Sequence, residues 1–324
     1  MNFKYWKFLF MMMMVMSMMI SISSFSWFGM WIGLEINMMS IIPLMSSKNI
    51  LNTESTMKYF ITQSIAATII ITMIIMFSNY YSNITIMILN FALLMKLGSA
   101  PTHFWFPEVM EGQSWFMCFM LLTIQKITPF MILSYNLNST LFFMIIITLN
   151  MIISMMMGLN QISMRKIMTF SSINHIGWMM SSIMMNKNVW MIYMTIYILM
   201  TLNLIYILNN MKIFYFNQFF TIKLNFNNKL MIILVFFSMM GLPPFIGFFP
   251  KWLVIQLLML NSNFIIISIM IMLTLFTMFY YLRIMITTLM FMSYNNTNFT
   301  MNKNYWLVNS MTIFLLPIIT MILY

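Results

Sequence analysis

The sequence predicts an all-α, polytopic membrane protein of about eleven transmembrane helices, two of them broken, organised as an inverted repeat. Three observations carry that prediction. Of 324 residues, 62% are apolar and 6% charged, whereas soluble domains are roughly a quarter charged. Apolar segments recur along the whole length, giving a mean hydropathy of +0.93. Basic residues gather almost entirely in one set of alternate loops, the asymmetry that orients membrane proteins. The composition excludes an ordinary water-soluble enzyme, and it excludes a disordered chain, which needs low hydrophobicity and high charge.

The formal net charge of +11 comes from 15 Lys and Arg against four Glu and no Asp. A nucleic-acid-binding protein can be that basic, but it needs a solvated cationic face. Neither a nucleic-acid partner nor a soluble substrate is expected. Cys118 is the single cysteine, so an internal disulfide and a Cys-based zinc or iron–sulfur site are excluded. With His103 and His175 as the imidazoles, a bound metal or haem is not expected.

Taken in order, apolar lengths and polar breaks place crossings at 8–23, 27–45, 57–77, 83–99, 114–135, 139–158, 166–186, 188–209, 229–260, 264–291 and 305–323. A helical crossing needs about 20 residues. Lys4 and Lys7 before the run Phe8 to Ile20, with small residues after it, imitate a signal peptide. Equally apolar runs continue to the last residue and no soluble domain follows, so a first crossing is the better reading. The ninth segment is too long for one straight helix and is interrupted by Pro243, Pro244 and Pro250. A single membrane domain over 1–324 then comprises a first repeat at 8–158, a second at 166–291 and a terminal helix at 305–323.

With eleven crossings, Lys4, Lys7, Lys48, Lys58, Arg165, Lys166, Lys212, Lys223, Lys229 and Lys303 fall with the N-terminus, and only Lys187 falls clearly opposite. A miscounted span would scramble that sorting, so it supports both the count and an N-terminus on the negative side. Most of these cations are read as orientation signals that meet lipid headgroups. Arg283, toward the same side of its span, is read as snorkelling.

Two segments align without gaps at an offset of 143 residues. Gly98, Pro101, Trp105, Phe106 and Pro107 match Gly241, Pro244, Phe248, Phe249 and Pro250, followed by Glu108 in one copy and Lys251 in the other. Proline deletes a backbone donor and clashes with the preceding turn, so both copies break their helices. Paired Gly/Pro-interrupted segments point to an inverted repeat and its central site.

Four ionisable residues lie within or against apolar spans: Glu35 in WFGMWIGLEINMMSIIPL, Lys96 before the first break, Lys126 in LLTIQKITPFMIL, and Lys251 at the second break. Each costs roughly 2.5–3.5 kcal/mol at a helix centre on insertion scales, so pairing or hydration is required. Glu35 is the acid well inside a span, and a lysine is its natural partner. Fixed ion pairs that glue helices together would satisfy the energetics. The sharper reading is proton exchange: an amine loses proton affinity in apolar surroundings and regains it beside a carboxylate, whereas arginine stays charged. Pro129 and Pro250 cannot donate to the carbonyls of Gln125 and Ile246, which leaves acceptors expected beside Lys126 and Lys251. Ser171, His175 and Ser182 lie near one helical face. His175 is then either a hydrogen-bonded core imidazole or a relay between lysines. Met and aromatic stripes elsewhere read as packing or lipid-facing residues, and no phosphate-binding loop, Ser/His/Asp set or metal-ligand spacing is present.

Forty-nine Met, with Arg and Ala scarce, suit a very AT-rich genome whose code spells Met twice, as in many animal mitochondria. The segments GLEINMMSIIPL, KYFITQSIA, MKLGSAPTHFWFPEV, QKITP, LNQISMRKIMTFSSINHIGW and GLPPFIGFFPKW, in order from residue 27 to about 260, resemble the chain 2 family of mitochondrial NADH–ubiquinone oxidoreductase, its insect members above all. The remaining C-terminal residues match in hydropathy only. The family is one of the antiporter-like subunits in the proton-pumping membrane arm of respiratory complex I. Its animal members carry eleven helices, two of them broken, and lack three found at the start of bacterial relatives. The resemblance implies that Glu35 is the membrane glutamate, Lys96 the lysine of the first broken helix, Lys126 the central connecting lysine and Lys251 the lysine of the second broken helix. It implies no cofactor on this chain, since NADH, flavin, iron–sulfur clusters and ubiquinone belong to partner subunits. The implied partners are other membrane-arm subunits and the lipid bilayer, and the implied location is the mitochondrial inner membrane with the N-terminus in the matrix.

The expected function is therefore that of a non-redox core subunit of the translocating NADH:ubiquinone oxidoreductase. Electron transfer elsewhere disturbs the Glu35–Lys96 pair, and the change passes through Lys126 to Lys251. A stand-alone cation/proton antiporter and a purely structural arm subunit are the alternatives.

Overall fold

Backbone N–H and C=O groups find no water in hydrocarbon, so a chain this apolar must satisfy them within helices. The computed structural model describes residues 5–47, 49–79, 82–137, 140–221 and 226–290. Among the described residues every regular element is a helix, and one isolated bridge pairs Ser163 with Tyr215. Contacts divide the chain into two units, Met1–Ile146 and Ile147–Tyr324.

The first unit holds α1 (Tyr5–Ser23), α2 (Trp27–Met45), α3 (Ile50–Asn79), α4 (Asn83–Leu97), α5 (Trp105–Gly112), α6 (Trp115–Leu122) and α7 (Ile124–Leu133). The boundary falls within α8 (Thr140–Leu159). The second unit continues with α9 (Met164–Met185), α10 (Lys187–Met211), α11 (Gln218–Thr221), α12 (Phe226–Met240), α13 (Phe248–Leu260) and α14 (Phe264–Met290). Seven of the described helices are long and apolar enough to cross a membrane singly: α1, α2, α3, the joined α6–α7, α8, α10 and α14. With α9 and the broken pairs α4–α5 and α12–α13 they account for the first ten expected crossings. The crossing expected at 305–323, and Lys4, Lys48, Lys223 and Lys303, lie outside the described residues.

Two elements differ from expectation. Helix α3 starts at Ile50 rather than 57, because hydropathy marks where hydrocarbon begins and not where hydrogen bonding does. The fifth crossing is interrupted at Thr123, whose backbone takes φ −118 and ψ −73 and whose hydroxyl donates to Phe119 O at 2.7 Å.

Helices in lipid gain little from the hydrophobic effect and associate through close backbone approach. Gly33 on α2 meets α1 in this way: a Cβ there would stand 2.6 Å from Ser21 Cβ and 2.8 Å from Ser21 N. Trp31 Nε1 donates to Ala67 O at 3.1 Å, tying α2 to α3. Helix α5 is fastened to α3 at two points, Glu108 in its first turn and Gln113 at its C-terminal cap. Gln113 Nε2 donates to Ser55 Oγ at 2.6 Å, and Lys58 pairs with both Glu108 at 2.8 Å and Glu54 at 2.9 Å. Lys58 was expected as an orienting cation; it also clamps these two helices.

In the second unit α9 is central. Every residue from Ile167 to Ile183 is buried, although the segment is rich in Ser, Thr, Asn and His. Its hydroxyls return to their own helix, Ser171 to Met168 O, Ser172 to Thr169 O and Ser182 to Met179 O, so these hydroxyl donors are satisfied among apolar neighbours. Asn174 Nδ2 reaches Thr277 Oγ1 on α14 at 3.1 Å. Arg283, expected to snorkel, reaches the end of α8. Its guanidinium donates to Leu159 O at 3.0 Å and Gln161 O at 2.6 Å and lies 5.0 Å from the Phe216 ring centroid. It thus caps the C-terminus of α8, where carbonyls lack helical partners and the dipole favours a cation.

Candidate functional site

Both copies of the Gly/Pro motif stop a helix in the same manner. Gly98 has φ 71 and Gly241 φ 75, the left-handed region that costs other residues about 1–2 kcal/mol. After Gly98 the N–H groups of Gly98 and Ser99 bond back to Met95 O and Leu94 O, and after Gly241 those of Gly241 and Leu242 bond back to Ser238 O and Phe237 O. Helices resume at Trp105 and at Phe248, so the sequence offset of 143 is kept at both glycines and both restarts. Ala100–Pro101 and Pro243–Pro244 are cis.

In the first unit, the absent Cβ of Gly98 leaves room for Phe106, whose Cβ and Cγ would otherwise lie 3.1 Å away. Phe106 in turn presents its ring to Lys126, with Nζ 5.2 Å from the centroid. A desolvated cation–π contact contributes about 2 kcal/mol, most of the roughly 2.5–3.5 kcal/mol that a lysine at mid-membrane costs. Lys96 lies in the last turn of α4, where the helix dipole favours its charge, and its carbonyl accepts from Gln63 Nε2 at 3.3 Å. Trp105 Nε1 donates to Met95 O at 3.2 Å. The freed carbonyls of α4 are therefore met by side chains on α3 and α5.

Lys96 and Lys126 line one cavity of about 20 Å³, together with Asn37, Tyr59, Gln63, Trp105, Phe106, Gln125 and Thr128. A space of roughly 10–15 Å³ holds one water when polar partners are at hand, and here they are. Lys96 is 7% exposed and Lys126 2%. Glu35 is half-buried on α2, one residue from the cavity wall at Leu34 and two from Asn37. Among the described residues it makes no contact ion pair with Lys96. The expected pairing is therefore not a direct ion pair. The helix is interrupted at Thr123, and Pro129, expected to free the Gln125 carbonyl beside Lys126, lies inside α7.

In the second unit, Lys251 Nζ donates to Met240 O at 2.7 Å and lies 5.9 Å from the Trp178 ring centroid. The acceptor differs from the expected Ile246 O, which receives the Phe249 N–H at 3.2 Å. Met240 O is available because α12 stops at Gly241. The ammonium therefore sits at the negative end of the α12 dipole, and Gly241 makes room for it: a Cβ there would be 2.9 Å from Nζ. The matching residue of the first copy, Glu108, faces outward to Lys58 instead. His175 Nδ1 lies 2.9 Å from the Tyr193 hydroxyl, and its ring centroid 5.1 Å from that of Tyr197. Ser171 and Ser182 share its helix but turn their hydroxyls to their own backbone.

The structure thus brings Lys96 and Lys126 to one cavity within the first unit, and Lys251 and His175 to the core of the second. Tyr59, Gln63, Asn37, Gln125 and Tyr193 were not singled out by sequence. Tyr59 and Gln63 could have been, since a spacing of four puts both on one helical face.

The family model described as NADH:quinone oxidoreductase/Mrp antiporter, TM, matches residues 24–277. NADH-ubiquinone oxidoreductase chain 2 of Anopheles gambiae is 47% identical over 301 residues, covering 90% of this chain and 85% of its own. The protein of the same name from Locusta migratoria is 38% identical over 327 residues, covering 98% and 93%. A chain of respiratory complex I from Thermus thermophilus has the same fold, with a TM-score of 0.83 at 18% identity over 97% of this chain and 80% of that one. So does a chain of a membrane-bound sulfane sulfur reductase, an archaeal respiratory membrane complex, at 0.83 and 14% over 96% and 72%. With identity at this level running through nearly the whole length and the same helical architecture beneath it, the chain belongs to the NADH-ubiquinone oxidoreductase chain 2 family.

Proposed function

We propose that the chain is a core membrane-arm subunit of the respiratory NADH:ubiquinone oxidoreductase in the mitochondrial inner membrane. It moves protons across the bilayer while partner subunits transfer electrons. The observation that supports this most directly is the shared cavity of Lys96 and Lys126, two amines held out of water around a space that fits one. In this reading Glu35 sets the proton affinity of Lys96 from a distance. A change near Glu35 releases a proton that the cavity passes to Lys126, where the Phe106 ring favours the charged form. Lys251, on the carbonyl end of α12, is the proton-binding amine of the second unit, and His175 with Tyr193 forms a hydrogen-bonded group on α9 and α10. Moving one charge against 100 mV requires about 2.3 kcal/mol, which a change of about two units in proton affinity supplies. The redox groups are assigned to partner subunits and the N-terminus to the matrix; the single cysteine and the sorting of basic residues support these assignments.

Complexes carrying Lys96→Met or Lys251→Met, reconstituted in sealed vesicles, test the proposal. Each is expected to oxidise NADH while acidifying the proton-receiving compartment less than the unaltered complex does. Full acidification by both removes the proposed roles. The description of the matching family also covers antiporters; sodium-dependent transport by the purified chain alone would favour that second reading.

A further inference from the structure

The first unit contains a chain of uncharged side chains that the proposed proton path does not use. The Tyr59 hydroxyl on α3 donates to Gln125 Oε1 at 3.2 Å. Gln125 Nε2 donates to Asn37 Oδ1 on α2 at 2.8 Å, and Asn37 Nδ2 reaches Thr128 Oγ1 at 3.5 Å. All four residues line the cavity that holds Lys96 and Lys126. Gln125 is the centre of the chain, because both ends of its amide are engaged, each by a different helix.

Its place in the backbone gives that bracket a task. Helix α6 stops at Leu122, the Thr123 backbone is distorted to φ −118 and ψ −73, and α7 begins at Ile124. The Lys126 N–H reaches back three residues, to Thr123 O at 3.1 Å. The turn that bears Lys126 thus follows a distorted junction in the joined α6–α7 span rather than a regular helical step. Its orientation needs another anchor, and the residue next to Lys126 supplies one.

We infer that Gln125 is the positioning residue of the central lysine. Its amide clamps the first turn of α7 to α2 and α3, and so sets where the Lys126 ammonium stands over Phe106 and across the cavity from Lys96. The inference rests on the proton-carrying role proposed for Lys126. An amide suits the task, since it offers a donor and an acceptor in one plane and does not titrate in the neutral range. Asn37 is two residues from Glu35 on the same helix, so a shift of α2 at Glu35 passes through the Asn37–Gln125 bond to the turn that carries Lys126.

The test uses the intact complex in sealed vesicles with three variants: Gln125→Met, of similar length without the amide, Tyr59→Phe, which removes one hydroxyl, and Lys126→Met. The quantity read is protons moved per electron as pH varies. Gln125→Met is expected to move the pH of half-maximal pumping by about one unit, roughly a tenfold change in proton affinity, and Tyr59→Phe to move it the same way by less. A purely structural role would lower the yield of assembled complex without moving this midpoint. If Gln125→Met does not assemble, Tyr59→Phe decides by the same midpoint. An unmoved midpoint in the assembled variants, with pumping abolished in Lys126→Met, overturns the role of Gln125 and leaves that of Lys126 standing. Full pumping by Lys126→Met overturns both.

Discussion

At Gly241 the backbone has φ 75, and a Cβ would lie 2.9 Å from Lys251 Nζ and 3.0 Å from Gly247 O. Gly241→Ala therefore combines a backbone cost of about 1–2 kcal/mol with displacement of the ammonium from Met240 O, a charge-assisted bond contributing about 1.5–3 kcal/mol. The expected outcome is an assembled complex that oxidises NADH but moves fewer protons per electron, measured by acidification in vesicles. At this scale, the residues legible in the sequence were the expensive ones. A lysine in an apolar run announces itself because its burial is costly, whereas Gln125 or Asn37 in the same run costs little and drew no notice. The acceptors of Arg283, Leu159 O and Gln161 O, were not legible because they lie far away along the chain. The Ile246 carbonyl was misassigned because a missing proline donor says nothing of which other N–H will arrive.

Among elements, the broken helices were readable because Gly and Pro impose backbone geometry whatever surrounds them. The interruption at Thr123 was not, since a threonine has no comparable signature; its hydroxyl simply takes the Phe119 carbonyl once the fold bends there. The α1–α2 contact depends on a residue too small to register in hydropathy. Gly33→Ala puts a methyl group against the Ser21 backbone, and overpacking of this kind costs about 1–3 kcal/mol. It is expected to lower the temperature at which the detergent-solubilised complex releases this chain, followed on native gels. Retention at the wild-type temperature would show that α1 and α2 part without penalty.

For the molecule as a whole, the first ten crossings were legible because charge sorting and apolar length constrain each other; the eleventh lies outside the described residues. Helix α10 offers a compact check. Lys187 opens it and Lys212 closes it, and both are exposed. At 1.5 Å per residue the helix spans roughly the thickness of the hydrocarbon core. A membrane-impermeant amine reagent is therefore expected to reach Lys212 from the matrix side and Lys187 from the other; labelling of both from one side would refute the orientation. Helix α9 has a different consequence. It is absent from the described helices apolar enough to cross a membrane alone, yet it is the most enclosed of the second unit. Such a segment gains little from dissolving in lipid by itself. We expect it to enter the membrane against protein, together with the neighbouring α10, so that the order of synthesis becomes a condition of building this unit.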